Sequence, residues 1–161
     1  MAPVTGMKTA AHDHEHCIAE ALGAAESLCG ERGARLTDIR RRVLELVWQS
    51  HAPVGAYELL EALRADGRGA QPPTVYRALE FLIEQGLVHR IESRNAFLGC
   101  PPTAAMPRSQ FLICRGCGSV AELTDRAIAT AIEAGARKQG FAAHRSTVEI
   151  EGQCASCQQA A

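Results

Sequence analysis

Two Cys-x-x-Cys pairs, Cys114/Cys117 and Cys154/Cys157, are separated by 36 residues in a chain of 161. Any fold of this chain must return to within a few ångströms of where it left. A Cys-x-x-Cys turn lets two thiolates meet one ion about 2.3 Å away, and two such turns complete the tetrahedral shell of structural zinc. The competing reading is a pair of disulfides. The opening segment MAPVTGMKTA lacks the apolar run of a secretory signal, and no stretch of sequence is apolar enough to span a membrane. A reducing cytoplasm is therefore expected, where paired cysteines more often hold metal than oxidise. Four thiolates close the shell and leave no position for a substrate, so the expected role is to hold the fold together.

Charge does not name a partner. With 17 Lys+Arg against 18 Asp+Glu the chain is nearly neutral, so any nucleic-acid contact must come from a local basic surface. Between residues 32 and 77, eight arginines face five acids, a local balance of +3 inside a chain of −1.

The N-terminal half reads as helical. Ile18, Ala21, Leu22, Ala25, Leu28 and Cys29 recur at helical spacing, so a first helix spans 14 to 29 and closes at Gly30. Thr37 is placed to cap a second helix with Ile39, Val43, Leu46 and Val47 on one stripe, ending before Pro53. A third carries Ala56, Leu59, Leu60 and Leu63 and stops at Asp66 and Gly67. Pro72 and Pro73 start a fourth, where a missing N–H costs nothing, and Gly86 ends it. A hairpin follows, 87 to 91 and 96 to 100, turning at Glu92 to Asn95. This order describes a winged helix-turn-helix over 14 to 100, after an N-terminal tail of 1 to 13. Pro101 and Pro102 open a loop, 101 to 110, that we take as the domain boundary. Beyond it, over 111 to 161, the spacing predicts strands at 111 to 114, 119 to 123 and 146 to 152, and a helix capped by Thr124 running through Gln139. The fold class is α+β.

On a wheel of about 100° per residue, Val75, Ala78, Leu79, Leu82 and Ile83 share one side of the fourth helix, and Arg77 lies opposite. A guanidinium there can reach G O6/N7 in the major groove, with Thr74 beside it. Arg41, within the run Arg40 to Arg42, is placed for phosphate contact. The alternative is that these arginines are ordinary solvated charges.

The segments AYELLEALR (56 to 64), PPTVYRALEFLIEQGLVHRIESRNAFLGC (72 to 100), CRGCG (114 to 118) and GQCASC (152 to 157) together resemble the ferric uptake regulator family, and most closely its zinc uptake regulator branch. The resemblance implies a homodimeric repressor of double-stranded, palindromic operator DNA. Its second domain is a small α/β dimerisation domain with the four-cysteine zinc site, and a regulatory zinc binds at the hinge. Carried over residue by residue, the base-contacting arginine falls on Arg77 and the DNA-facing tyrosine on Tyr57; Tyr76, the motif's other tyrosine, contacts DNA or packs at the flank of the apolar face.

The same resemblance implies hinge ligands at His89, Cys100 and Glu122. The fourth, a loop histidine, has no counterpart in PPTAAMPRSQ (101 to 110). His144 is one substitute, and the cluster His12, His14 and His16 is another. Three protein ligands leave an exchangeable position. Imidazole, thiolate and carboxylate together suit zinc over harder cations.

The implied targets are zinc-acquisition genes. Two rivals stay open: a sensor of another metal or of peroxide, and a winged-helix protein whose zinc is structural only. An enzyme is not expected, nor is a small-molecule substrate, since the chain has no His-Glu-x-x-His and no His-x-Glu accompanying a cysteine pair in the deaminase pattern.

Overall fold

A computed structural model describes residues 14–50, 52–101 and 108–159. The chain divides into two compact units, one formed by Ala10–Ala104 and the other containing Ala105–Ala161.

In the first unit, helices α1 (His14–Glu31), α2 (Asp38–Trp48), α3 (Ala56–Ala65) and α4 (Pro72–Glu84) precede strands β2 (Val88–Ile91) and β3 (Ala96–Gly99). A two-residue strand, β1 (Val54–Gly55), pairs antiparallel with β3 and gives a three-stranded wing in the order β1-β3-β2. Sequence reading missed β1, because two residues carry no period of two. The hairpin turn is a short 3-10 segment, Glu92–Arg94, closed by Asn95 with φ 47°. Asparagine tolerates this left-handed region better than most side chains.

The core is the meeting place of the apolar stripes. Val43, Leu44 and Val47 of α2, Leu59 and Leu63 of α3, Val75, Leu79 and Leu82 of α4, and Leu87, Val88 and Phe97 around the wing are all buried in one cluster. Each such side chain stabilises the fold by about 1.5–3 kcal/mol through removal of apolar surface from water. Gly55 donates its N–H to Glu58 Oε2 at 3.0 Å, which fixes the start of α3.

Two helix boundaries differ from the sequence expectation, and one expected cap lacks its side-chain bond. Helix α1 runs through Gly30 to Glu31, and the chain turns at Gly33, φ +64°. Thr37 does occupy the N-cap of α2, yet its side chain makes no capping hydrogen bond. In the second unit the cap belongs to Asp125 rather than Thr124: its Oδ1 accepts from the N–H groups of Ala127 at 2.7 Å and Ile128 at 3.4 Å. A carboxylate at this position also complements the positive end of the helix.

The second unit is a three-stranded sheet, β4 (Arg108–Cys114), β5 (Val120–Leu123) and β6 (Ser146–Gly152), with α5 (Arg126–Lys138) and a short α6 (Ala155–Gln159). The order is β5-β4-β6, antiparallel on one side and parallel on the other. Strand β4 begins at Arg108, inside the segment expected to be loop, because it must pair with Ser146 onward. The rest of that expected loop, 102 to 107, lies outside the described residues. Phe111, Ile113, Val120 and Ala121 are the buried centre of the sheet.

Candidate metal centre and nucleic-acid interface

The metal centre is assembled by strand pairing. Parallel register between β4 and β6 sets Cys114 opposite Gly152, so the two cysteine turns emerge at the same end of the sheet. Cys114 ends β4. Gly118 turns the chain at φ +76°, a conformation that disfavours L side chains, and its N–H bonds the carbonyl of Cys114 at 3.0 Å. Cys154 follows β6 and is buried; Cys157 lies on α6, a helix the sequence reading had not placed.

The ligand atoms of Cys114, Cys117, Cys154 and Cys157 all lie within 4.8 Å of one another. Sγ of Cys117 and Sγ of Cys154 are 3.7 Å apart. Tetrahedral zinc with bonds of about 2.3 Å places its sulfurs about 3.8 Å apart, whereas a disulfide needs about 2.05 Å. All four cysteines are free thiols. The geometry fits a zinc shell, and the Cys117–Cys154 separation is not that of a disulfide.

Electrostatics agree. The Cys154 backbone N–H, donating to Cys114 Sγ at 3.3 Å, is the chief reason that this thiol is lowered to about 6, with the N–H groups of Cys117 and Gly116 adding to the effect. Cys117 is also lowered, mainly by its 3.1 Å contact with the Ser119 hydroxyl. Cys157 is pushed up to about 12, first by its hydrogen bond with Cys154 and then by those with Cys114 and Cys117. Without a cation the cluster must share protons; a dication takes their place, so binding releases protons and weakens as pH falls.

Gly116 is required by close approach rather than by φ. A Cβ built there would lie 2.9 Å from Cys157 Sγ and 3.2 Å from its Cβ. Gly116→Ala is expected to loosen zinc retention by about tenfold, since overpacking costs about 1–3 kcal/mol. Chelator competition on the purified variant measures it, and parental retention would contradict the close contact.

The three residues expected as hinge ligands are divided between the two units. His89, half-buried on β2, pairs with Leu98 of β3; Cys100, buried, stands two residues further along, and its N–H bonds Leu87 O at 3.1 Å. Side chains two residues apart share a face, so His89 and Cys100 are diagonal neighbours on one side of the wing. Glu122, half-buried on β5, pairs with Phe111, and burial raises its carboxyl above the usual range. His144 lies in an exposed bend ahead of β6. His16 is 3.3 Å from Glu20 and exposed; His12 lies outside the described residues, as does the side chain of His14.

Four side chains expected at DNA occupy the surface of α3 and α4. Tyr57 is 72% exposed and Tyr76 48%, Arg77 is exposed and Thr74 half-buried. Tyr76 is therefore not a core residue. The run Arg40 to Arg42 is engaged internally. Arg40 stacks 3.6 Å over Phe81, Arg41 Nε meets Glu26 Oε1 at 2.9 Å, and Arg42 bonds Asp66 and Glu45. Of the three, Arg41 is the most weakly held, its pair being exposed enough for water to screen it.

The match to known proteins follows the same outline. The model of the family described as "Ferric uptake regulator family" matches residues 31–151. The zinc uptake regulation protein of Escherichia coli (strain K12) is 41% identical over 142 residues, covering 86% of this chain and 81% of that one. A solved zinc uptake regulator in complex with zinc and DNA is similar at a TM-score of 0.82 and 36% identity, covering 93% of this chain and 98% of that one. The crystal structure of holo XcZur is similar at 0.79 and 46% identity, over 86% and 96%. The chain belongs to the ferric uptake regulator family.

Proposed function

We propose that this chain is a zinc-responsive transcriptional repressor that binds palindromic operator DNA as a homodimer and controls zinc-uptake genes in the cytoplasm. The observation that carries the reading is its likeness, along nearly the whole chain, to a zinc uptake regulator solved with zinc and DNA. The exposed Tyr57, Thr74, Tyr76 and Arg77 supply the DNA-facing chemistry. Among the described residues no helix is long and apolar enough to cross a membrane. The relatives are regulators, and the four-thiol shell is closed to substrate, so no enzymatic activity is assigned.

Two zinc roles are assigned. Cys114, Cys117, Cys154 and Cys157 hold the structural ion. His89 and Cys100 of the wing, with Glu122 of the second unit, hold the regulatory one; His144 is the substitute proposed for the fourth position. When bound, zinc supplies a cross-link between the ligands of the two units. The chain's own residues do the rest: α4 presents Arg77 and Thr74 to base edges, and Tyr57, Tyr76 and Arg41 meet the surrounding groove and backbone. Two recognition helices must sit about one DNA turn apart to enter successive major grooves, so fixing the units sets operator affinity.

With the four-cysteine site kept filled, added zinc is expected to tighten operator binding about 5–150-fold, the usual range of allosteric coupling. His89→Ala and Cys100→Ser each remove that gain. Equal affinity with and without added zinc would instead support a winged-helix protein with structural zinc only; a gain with iron or manganese but not zinc would support a sensor of another metal.

A further inference from the structure

The chain has a single tryptophan, Trp48, the last residue of α2. Its indole lies against the backbone of Gly99 at the end of β3. A Cβ on Gly99 would sit 2.7 Å from Trp48 Nε1, 2.8 Å from Cε2 and 2.9 Å from Cδ1, closer than any side chain can stand. Here the contacting partner is a rigid bicyclic ring, and α2 is anchored just before it by the fully buried Val43, Leu44 and Val47.

The register gives this contact its meaning. Gly99 pairs with Val88 and immediately precedes Cys100, while Val88 immediately precedes His89. The indole therefore abuts the one rung of the wing that is adjacent to both wing ligands. This is also the last β2–β3 pair; beyond it, Cys100 is tied to its neighbour strand by the N–H bond to Leu87 O.

We propose that Trp48 and Gly99 are a size-matched pair of positioning residues that sets the end of β3 on α2, and so fixes the placement of Cys100 relative to His89 for regulatory zinc. The inference rests on the ligand assignment made under Proposed function. Adding bulk at Gly99 peels the strand end away, because the indole is held by a buried helix and the strand end by few bonds. Removing bulk at Trp48 leaves the strand end without its stop. Either change degrades the ligand pair without touching a ligand, and the four-cysteine cluster belongs to the other compact unit.

The full-length protein, with its four-cysteine site loaded, is titrated with zinc against a competing chelator whose absorbance reports the zinc it holds; tryptophan emission is followed as well in the parent and in Gly99→Ala, which keep Trp48. Gly99→Ala is expected to shift emission before zinc is added and to weaken the exchangeable zinc about tenfold, about 1.4 kcal/mol. Trp48→Leu alone is expected to weaken it similarly, and Trp48→Leu with Gly99→Ala to recover most of the parental affinity, a non-additivity diagnostic of direct contact. If Gly99→Ala does not fold, Trp48→Leu and the double variant carry the test. Unchanged zinc affinity in the folded single variants, or additive losses in the double one, would overturn the proposal. His89→Ala and Cys100→Ser serve as references. If they leave the exchangeable zinc intact, the ligand assignment itself fails and takes this inference with it. If they remove it while Gly99→Ala and Trp48→Leu do not weaken it, only the positioning pair fails.

Discussion

Cys154→Ser is expected to strip zinc from the second unit and unfold it. Cys154 is the buried member of its pair, and its backbone N–H supports the thiolate of Cys114 at 3.3 Å as well as presenting its own sulfur 3.7 Å from Cys117. The sheet it serves has a small centre, chiefly Phe111, Ile113, Val120 and Ala121, and the only buried residue of α5 is Ala129. Structural zinc contributes about 10–16 kcal/mol of apparent binding energy in small domains, more than such a core can replace. Zinc content should fall, protease should cut within 108–159, and the first unit should retain its helical signal. A zinc-free variant that keeps the second unit folded and dimeric would refute the structural role. Acid should reproduce the effect in the parent protein: binding needs deprotonated sulfurs, and Cys157, at about 12 without metal, holds its proton most tightly, so metal is lost as pH falls.

The second large effect is expected from Arg77→Ala. Arg77 is exposed in the second turn of α4, on the side away from Val75, Ala78, Leu79 and Leu82, all of which are buried. Its loss should leave folding intact and reduce discrimination at one operator base by about 1–3 kcal/mol, a factor of roughly 5–150. Binding to an operator and to a variant with that base changed should converge. Arg41→Ala is the control, expected to weaken both DNAs alike and to flatten the salt dependence. Its effect should be the smaller, because Arg41 must first leave Glu26. Equal losses for the two substitutions on every DNA would overturn the division of roles.

The helices of the first unit were legible because their signals are local. Pro72, Gly67 and Gly86 bound the elements where a missing N–H or a positive φ is tolerated, and the apolar period of α2 to α4 is the buried face itself. Strand β1 and helix α6 were not legible: two residues and five residues are too short to show a period, and β1 exists because β3 pairs with it. The same holds for the start of β4, which is strand only because β6 runs beside it. For the arginine run at 40 to 42 composition gives charge but no partner, and the fold engages these side chains with Phe81, Glu26, Asp66 and Glu45, 15 to 41 positions away for all but Glu45.

By itself the sequence determined the donor set of the metal centre, the helical order of the first half and the side of α4 that carries Arg77, because each depends on residue type and short spacing. Only the tertiary structure decided that β4 and β6 run parallel with Cys114 opposite Gly152, which gathers four sulfurs within 4.8 Å, and that Trp48 rests on Gly99 beside Cys100. Those contacts join residues some 40 to 50 positions apart, and strand register and the fit of buried shapes are properties of the folded whole that no local pattern encodes.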